Sequence, residues 1–266
     1  MFTARNYVLA KSLDEAWKLN QSKSNQIVGG MLWLKMSRKK INTVIDLSEL
    51  GFDTIEESEN EFKIGAMCSL RTLEMHKGLE AYFGGMIRNS VESIVGTQFR
   101  NLATVGGSIY SRFGFSDILT AFMALDSYVE LHKGGIIALD EYAKMPCDRD
   151  ILKYIIIKKD SRQASYKSFR NTATDFPVLA CAVSRMGNES ERPWKIVYGA
   201  RPGKAIEYNN NLSFNPSETE LLDFAEGIKK SELFAGNMRG SKEYRQLLAA
   251  ALLKKAMTDI MGKAEK

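Results

Sequence analysis

The stretch from Arg100 to Asp126 constrains the fold most, because the glycine pair Gly106-Gly107 separates an apolar segment from a loop that leads into a helix. Glycines let the main chain approach a ligand closely and adopt positive φ, so successive N–H groups can converge on a phosphate. Ser108 adds a hydroxyl donor directly after the pair. Ser116 is a good N-cap, and Asp117 complements the positive end of the helix dipole. The stretch therefore predicts a backbone-built anion site followed by a helix.

A similar arrangement occurs earlier, where the apolar strand Gln26-Ile27-Val28 runs into Gly29-Gly30. Two such turns could face each other across one diphosphate. Neither pair fits the G-x-G-x-x-G fingerprint or the G-x-x-x-x-G-K-[ST] loop, so the Rossmann and P-loop interpretations lack their defining residues. Taken alone, a glycine pair between apolar segments is more often a simple tight turn, and that alternative stays open.

Length and composition indicate two domains or subdomains, because 266 residues with 44% hydrophobic content can bury a substantial core. The formal charge of +5 is spread along the chain, and no basic stripe interleaved with aromatics argues for nucleic acid. The N-terminus lacks the apolar region of a signal peptide, and no apolar run is long enough to span a bilayer. We expect a soluble, cytoplasmic protein.

The cysteines and histidines are few and scattered. Cys68, Cys147 and Cys181 form no C-x-x-C pair, which disfavours a disulfide framework, a zinc site or an iron–sulfur cluster in this chain. His76 and His132 are the only histidines, which disfavours a histidine-based catalytic triad or metal site. We expect no catalytic residue and no metal ligand in this chain.

The first half of the sequence alternates strands with helices. Ser12 opens a capping box for a helix to Asn20, Ser69 caps a helix that stops at Gly78, and Ala81–Val95 has a further helical pattern. In this interpretation the second glycine pair lies in a turn that precedes the helix at Ser116.

The second half changes character near residue 160. Strand candidates follow one another without a long helix between them, which indicates an antiparallel sheet; they are Ile151–Lys158, Ser165–Phe169, Val178–Val183 and Trp194–Tyr198. Ser217 opens a second capping box and Ser241 opens the last helix. The apolar face predicted for that last helix consists of Tyr244, Leu247, Leu248, Ala251 and Leu252.

Several of these segments together resemble one known family, the FAD-binding medium subunits of the molybdenum hydroxylases, which include xanthine dehydrogenase and carbon monoxide dehydrogenase flavoproteins. The matching segments are Val28-Gly29-Gly30, Arg100-Asn101-Leu102-Ala103-Thr104-Val105-Gly106-Gly107-Ser108-Ile109, Ser116-Asp117, Tyr166-Lys167-Ser168-Phe169-Arg170 with Asp175-Phe176, and Ser241-Lys242-Glu243-Tyr244-Arg245. The second of these is long and specific. The resemblance covers nearly the whole chain.

The resemblance implies an α+β fold. Residues 1–160 would form a vanillyl-alcohol-oxidase (PCMH)-type FAD-binding domain of two α/β subdomains. Residues 161–266 would form a carbon monoxide dehydrogenase flavoprotein C-terminal-like domain, an antiparallel sheet with helices. It also implies noncovalent FAD as the cofactor, with both glycine pairs donating N–H groups to the pyrophosphate. By position, the implied cofactor contacts are Gln26, Ile27, Val28, Gly29, Gly30, Ile94, Thr104, Val105, Gly106, Gly107, Ser108, Asp117, Leu152 and Lys167.

The family has Thr-Asp or Thr-Asn after the first glycine pair, where this chain has Met31-Leu32. A side-chain hydroxyl and a polar partner are therefore missing, although backbone donors survive such a change. We expect FAD to bind, with reduced affinity.

The resemblance further implies a molybdopterin-binding large subunit and a [2Fe–2S] small subunit as partners. The chain would take electrons from the clusters and pass them to NAD⁺ or another acceptor. Two other functions stay open: a stand-alone flavin oxidase of the same fold, and an interaction subunit that has lost its flavin.

Overall fold

The computed structural model describes residues 1–187 and 191–264, and within them the strands form three sheets. The strands are β1 (Thr3–Leu9), β2 (Gln26–Val28), β3 (Lys40–Asp46), β4 (Ile55–Glu57), β5 (Glu61–Gly65), β6 (Ser127–Leu131), β7 (Gly135–Ala138), β8 (Leu152–Lys158), β9 (Gln163–Arg170), β10 (Pro177–Arg185), β11 (Trp194–Gly199) and β12 (Ile206–Tyr208). The helices are α1 (Leu13–Asn20), α2 (Leu32–Met36), α3 (Leu70–Met75), α4 (Lys77–Tyr82), α5 (Met86–Val91), α6 (Thr97–Leu102), α7 (Val105–Tyr110), α8 (Asp117–Met123), α9 (Leu139–Lys144), α10 (Glu218–Lys229) and α11 (Lys242–Ala264).

The first sheet is parallel, with strand order β1-β3-β2. Parallel strands need a crossover between them, and α1 supplies it between β1 and β2. The predicted N-cap is present, because Ser12 Oγ accepts from the Glu15 amide at 3.2 Å. The Glu15 carboxylate accepts at 2.8 Å from the amide of Lys11, one residue before the cap, and not from that of Ser12 as in a capping box. The predicted helix to Asn20 is thereby confirmed.

The second sheet is antiparallel, with strand order β4-β5-β8-β6-β7. The long stretch between β5 and β6 contains α3 to α8. Apolar residues of α3, α4, α5, α7 and α8 share one buried cluster with β5, β6 and β8. The cluster also includes Ala180 and Ala182 of β10, so the second and third sheets belong to the same core.

The third sheet is antiparallel, with order β12-β11-β10-β9, and it is covered on both faces. Every residue of β10 is buried, as expected for a strand between two layers. The small side chains of Ala180 and Ala182 face the core that contains α8, whereas Leu179, Cys181 and Val183 face α11. Strand alternation thus gives each layer its own set of side chains.

The helices after Ser69 are shorter and more numerous than the sequence predicts. His76 ends α3 in an extended conformation, and its Nδ1 accepts from the Leu79 amide at 3.2 Å, which caps α4. Gly84 and Gly85 then adopt positive φ values of 58° and 83° and separate α4 from α5. The predicted single helix over Ala81–Val95 is therefore wrong.

The predicted apolar face of the last helix is also wrong in part, since Tyr244, Leu247 and Ala251 are exposed. The buried stripe of α11 consists of Arg245, Ala249, Leu252, Leu253, Ala256, Met257 and Ile260. Arg245 is fully buried because it donates to the carbonyl groups of Val178 and Ala235, at 2.8 and 2.9 Å, among others. Because a buried arginine begins the stripe, the buried face of α11 differs from the face that apolar periodicity alone indicates.

A buried ion pair holds α6 against α3. Arg100 donates to both carboxylate oxygens of Glu74, at 2.8 and 3.2 Å, and to the Ile94 carbonyl at 3.2 Å. Burial opposes ionisation of Glu74, but the hydrogen bonds from Arg100 and Arg71 outweigh it, so the pKa of Glu74 is lowered. The pair fixes the segment that leads into Thr104.

We expect Glu74→Gln to lower the free energy of unfolding by about 3 kcal/mol at neutral pH, because the buried Arg100 charge loses its partner. A lowered native pKa contributes stability that is present above the unfolded value near 4.5 and lost as the pH falls through the native pKa. The difference from the wild type should therefore shrink below about pH 4.5. Urea unfolding at pH 7 and at low pH measures it.

The matched control is Glu80→Gln, which removes the partner of Arg88 from a pair whose side chains are both more than two-fifths exposed. This variant should unfold like the wild type, since exposed pairs contribute little. A Glu74→Gln difference that does not change with pH would contradict the assignment.

Candidate functional site

The two glycine segments of the sequence lie directly against each other. A Cβ atom on Gly29 would lie 2.5 Å from Thr104 Oγ1, and one on Gly30 would lie 1.7 Å from the Leu102 carbonyl oxygen. No side chain fits at either distance, so the end of β2 approaches the α6–α7 junction only because both residues are glycine. The two segments therefore lie side by side, and a diphosphate held between them stays a prediction.

The first segment leaves its backbone donors free. Within residues 1–187 and 191–264, the N–H groups of Gly29, Gly30 and Met31 have no protein acceptor. Met31 has a φ of 58°, a left-handed conformation that is uncommon for residues other than glycine. Such successive N–H groups form the kind of concave donor set that binds anions.

The second segment differs from the prediction, because Gly106-Gly107 lies in the first turn of α7 rather than in a turn with free donors. The Val105 amide donates to the Cys68 carbonyl at 2.9 Å, and the Gly106 amide donates to the Ala66 carbonyl at 2.8 Å. A Cβ on Gly106 would lie 2.6 Å from that Ala66 oxygen. Gly106 thus permits close packing of α7 against Ala66, and its N–H group already has a protein acceptor.

Thr104 caps α7. Its Oγ1 accepts from the Gly107 amide at 3.1 Å, and its carbonyl accepts from the Ser108 hydroxyl at 3.1 Å. The predicted hydroxyl donor of Ser108 is therefore also engaged within the protein. Thr104 has the role that short polar residues favour at a helix start, and it lies beside Gly29.

A cleft of about 660 Å³ opens beside these segments, within the range of cofactor sites. Its lining includes ten of the residues predicted from the sequence: Gln26, Ile27, Val28, Gly29, Gly30, Ile94, Thr104, Gly107, Ser108 and Asp117. A smaller cavity of about 100 Å³ shares part of this lining and includes Gly106 and Leu152. Val105 is fully buried and lines neither cavity.

The structure does not bring Lys167 to the cleft. Lys167 projects from β9 toward α11, where its Nζ lies 2.6 Å from Asp259 Oδ2. Because side chains alternate along a strand, the adjacent Tyr166 points to the opposite face, as does Arg170 three residues on. The side chains of this motif that point toward Asp117 are therefore Tyr166 and Arg170, which the sequence interpretation did not name as site residues.

Asp117 lies at the first turn of α8, where its charge suits the helix dipole. Its Oδ1 accepts from the Tyr166 hydroxyl and from Arg170 Nη2, the latter at 2.6 Å. Burial raises the pKa of the Asp117 carboxyl, and the charge of Arg170 and the hydrogen bond from Tyr166 oppose that rise. Both side-chain donors meet Oδ1, so Oδ2 is left for another donor.

Four aromatic rings cover one part of the cleft, and the sequence interpretation missed three of them as site residues: Phe113, Phe115 and Phe176. Trp33 and Phe176 are nearly parallel, with centroids 5.6 Å apart, and Phe113 and Phe115 stack at 5.0 Å. Trp33 follows the first glycine pair and the two phenylalanines follow the second. That proximity in sequence is the signal that could have identified them.

The described residues contain no cluster of three or more His, Cys, Asp or Glu side chains that could hold a metal ion. All three cysteines are free thiols. His132 bonds to Asp14 at 2.9 Å, and His76 caps α4. Among the helices described, none is long and apolar enough to cross a bilayer.

Known proteins share this fold along its whole length. Residues 2–159 match the family described as "FAD binding domain in molybdopterin dehydrogenase". The glyceraldehyde dehydrogenase medium chain of Sulfolobus acidocaldarius is 24% identical over 96% of this chain and 98% of its own. The uncharacterized protein YgfM of Escherichia coli K12 is also 24% identical, over 96% and 95% of the two chains.

A carbon monoxide dehydrogenase structure from Hydrogenophaga pseudoflava superposes with a TM-score of 0.83 at 18% identity and covers 98% of this chain and 99% of its own. The α+β fold predicted from the resemblance is thereby confirmed. The family match extends over more than half of the chain. The chain therefore belongs to the family of FAD-binding domains of molybdopterin dehydrogenases, which makes it an FAD-binding subunit of an oxidoreductase.

Proposed function

We propose that this chain binds FAD noncovalently in the large cleft and acts as the electron-transfer subunit of a molybdenum hydroxylase complex. The observation that carries the proposal is the set of free amides at Gly29, Gly30 and Met31, held against Thr104 at the cleft. Converging backbone N–H groups are the donors that a pyrophosphate needs. These amides have no protein acceptor among the described residues and line the cleft, so the residues present fit the cofactor.

The pyrophosphate contacts would come from the first glycine segment alone, since the amides of Val105 and Gly106 already have acceptors. Gln26, Ile27 and Val28 bring the chain to that segment and line the same cleft. The second segment would place Thr104, Gly107 and Ser108 in van der Waals contact with the cofactor, without hydrogen bonds from their donors. Gly106 and Leu152, in the adjoining cavity, extend that surface.

Planar rings of the cofactor would lie against the apolar lining. Ile94, Trp33, Phe113 and Phe176 all border the cleft. Trp33 is 43% exposed and Phe113 is 38% exposed, so both keep apolar surface available for stacking. Aromatic rings favour offset stacking, so these side chains suit flat ligand rings.

Asp117 would anchor a cofactor hydroxyl or N–H group through Oδ2. Tyr166 and Arg170 hold the carboxylate by Oδ1, which fixes its orientation toward the cleft. Residues on rigid elements with such support position a ligand well, and here the support comes from β9 of the C-terminal half. We propose that the two domains, residues 1–160 and 161–266, meet across this contact.

Bound FAD supplies the ability to accept electrons singly and to release two as a hydride. The chain would take electrons from [2Fe–2S] clusters of a small subunit, beside a molybdopterin-binding large subunit, and pass them to NAD⁺ or another acceptor in the cytoplasm. The Sulfolobus relative is itself a "medium chain" of a dehydrogenase, which supports a complex of several chains. The protein's own task is to bind, orient and shield the cofactor.

The first test is the visible spectrum of the purified chain, followed by denaturation, filtration and identification of the released flavin. We expect FAD to be released, at close to one per chain. Flavin that stays attached after denaturation would instead indicate a covalent flavin oxidase. A colourless chain that added FAD cannot fill would show that Met31-Leu32 marks a lost site, and the chain would then be an interaction subunit.

The second test is Gly30→Ala. The added methyl group would lie 1.7 Å from the Leu102 carbonyl, so the backbone must shift and the amide donors turn away. We expect the dissociation constant for FAD to rise about tenfold or more, the equivalent of one or two lost hydrogen bonds. Fluorescence titration of the apoprotein with FAD measures it.

Gly227→Ala is the matched control, because a Cβ there meets no atom within 4 Å. The control should bind FAD like the wild type, and circular dichroism should show that both variants are folded. Unchanged FAD affinity in folded Gly30→Ala would contradict the placement of the pyrophosphate.

A further inference from the structure

A second polar cluster lies behind the cleft, on the segment that links α7 to α8. Arg112 has a φ of 47° and is only 5% exposed. Its guanidinium lies 3.8 Å from the centroid of the Tyr142 ring and donates through Nε to the Tyr142 carbonyl at 2.9 Å. Nη1 donates to the Tyr110 carbonyl and to Cys147 Sγ, each at 3.0 Å.

Two buried polar atoms of this cluster lack partners. Arg112 Nη2 and the Tyr142 hydroxyl are inaccessible to water and have no hydrogen-bond partner in the part of the chain that the structure describes. Buried polar groups in native proteins are nearly always paired, so each exception needs an explanation. Because the same guanidinium points at the Cys147 sulfur, a small polar group attached to that sulfur would supply an acceptor.

The thiol itself is accessible, since Cys147 is exposed. Reactive cysteines in proteins are accessible and lie beside cationic groups. Cys147 combines the two properties, whereas Cys68 and Cys181 are buried. Burial raises the pKa of Cys68 to about 11 and that of Cys181 to about 12, which keeps both in the unreactive thiol form.

We propose that Cys147 is a site of oxidation by hydrogen peroxide, and that Arg112 binds the oxygen added to its sulfur. The sulfur attacks one peroxide oxygen, the O–O bond breaks, and the second oxygen leaves as water with the thiol proton. The sulfur is oxidised by two electrons to sulfenic acid and the peroxide is reduced. Charge-assisted hydrogen bonds from a guanidinium stabilise such an oxygen when it is anionic.

The test exposes the whole purified chain to hydrogen peroxide with a dimedone-type trap for sulfenic acid, and mass spectrometry follows each cysteine over time. We expect the label at Cys147, with Cys68 and Cys181 unlabelled as internal controls. The rate should exceed that of glutathione by about tenfold, which corresponds to one charge-assisted hydrogen bond. Cys147→Ser should abolish labelling. The measurement needs no flavin, so it is independent of the proposed cofactor site.

Arg112→Lys tests whether oxidation of Cys147 depends on the guanidinium or only on the exposure of the thiol. Lysine keeps the charge but has no second N–H arm, so trapped sulfenic acid should fall about tenfold while alkylation by iodoacetamide stays unchanged. If this variant does not fold, the comparison with glutathione in the wild type still decides. Labelling at the glutathione rate, or equal labelling of all three cysteines, would overturn the proposal and leave a buried water as the partner of Arg112 Nη2.

Discussion

The close approach of Gly30 to the Leu102 carbonyl is the contact on which the site depends. It places the end of β2 against the α6–α7 junction at a distance that no side chain allows. The N–H groups of Gly29 and Gly30 have no acceptor among the described residues and remain free beside the cleft. The Arg100–Glu74 pair holds the other side of this contact, since α6 ends at Leu102. The close contact and the free amide donors therefore lie in the same short segment.

A second constraint links the two halves of the chain through Asp117. Ion pairs in a protein interior are expensive to desolvate, and replacement by apolar residues is often no less stable. The Arg170–Asp117 pair therefore contributes orientation more than stability: it fixes one carboxylate oxygen and fixes α8 relative to β9. The neighbouring β10 presents Ala180 and Ala182 to the same core, and these small side chains leave space for α8. Arg170 at the end of β9 and the loop that follows it thus line one side of the cleft.

Local features were predictable from the sequence, and features set by distant residues were not. The caps at Ser12, Ser116 and Ser217 follow from side chains and amides three residues apart, and all three are present. The conformation of α7 depends on carbonyl groups of Ala66 and Cys68, far back in the chain, which periodicity cannot reveal. The same limit explains the wrong placement of Lys167, because a motif locates a strand without showing which side chains face the cleft. It also explains the unexpected burial of Arg245, whose acceptors lie on other segments.

The departure at Met31-Leu32 shows which part of such a site tolerates sequence change. A side-chain hydroxyl can be lost by one substitution, whereas amide donors are present in every residue except proline. The direction of the amide donors depends instead on the backbone conformation. Here Met31 adopts a left-handed conformation, at a cost of about 1 kcal/mol. A strained residue persists only where its surroundings determine it, and the Gly30–Leu102 contact lies directly beside it. The path of the three amides therefore depends on the contact at Gly30 and on the conformation of Met31, and not on a side-chain hydroxyl after the glycine pair.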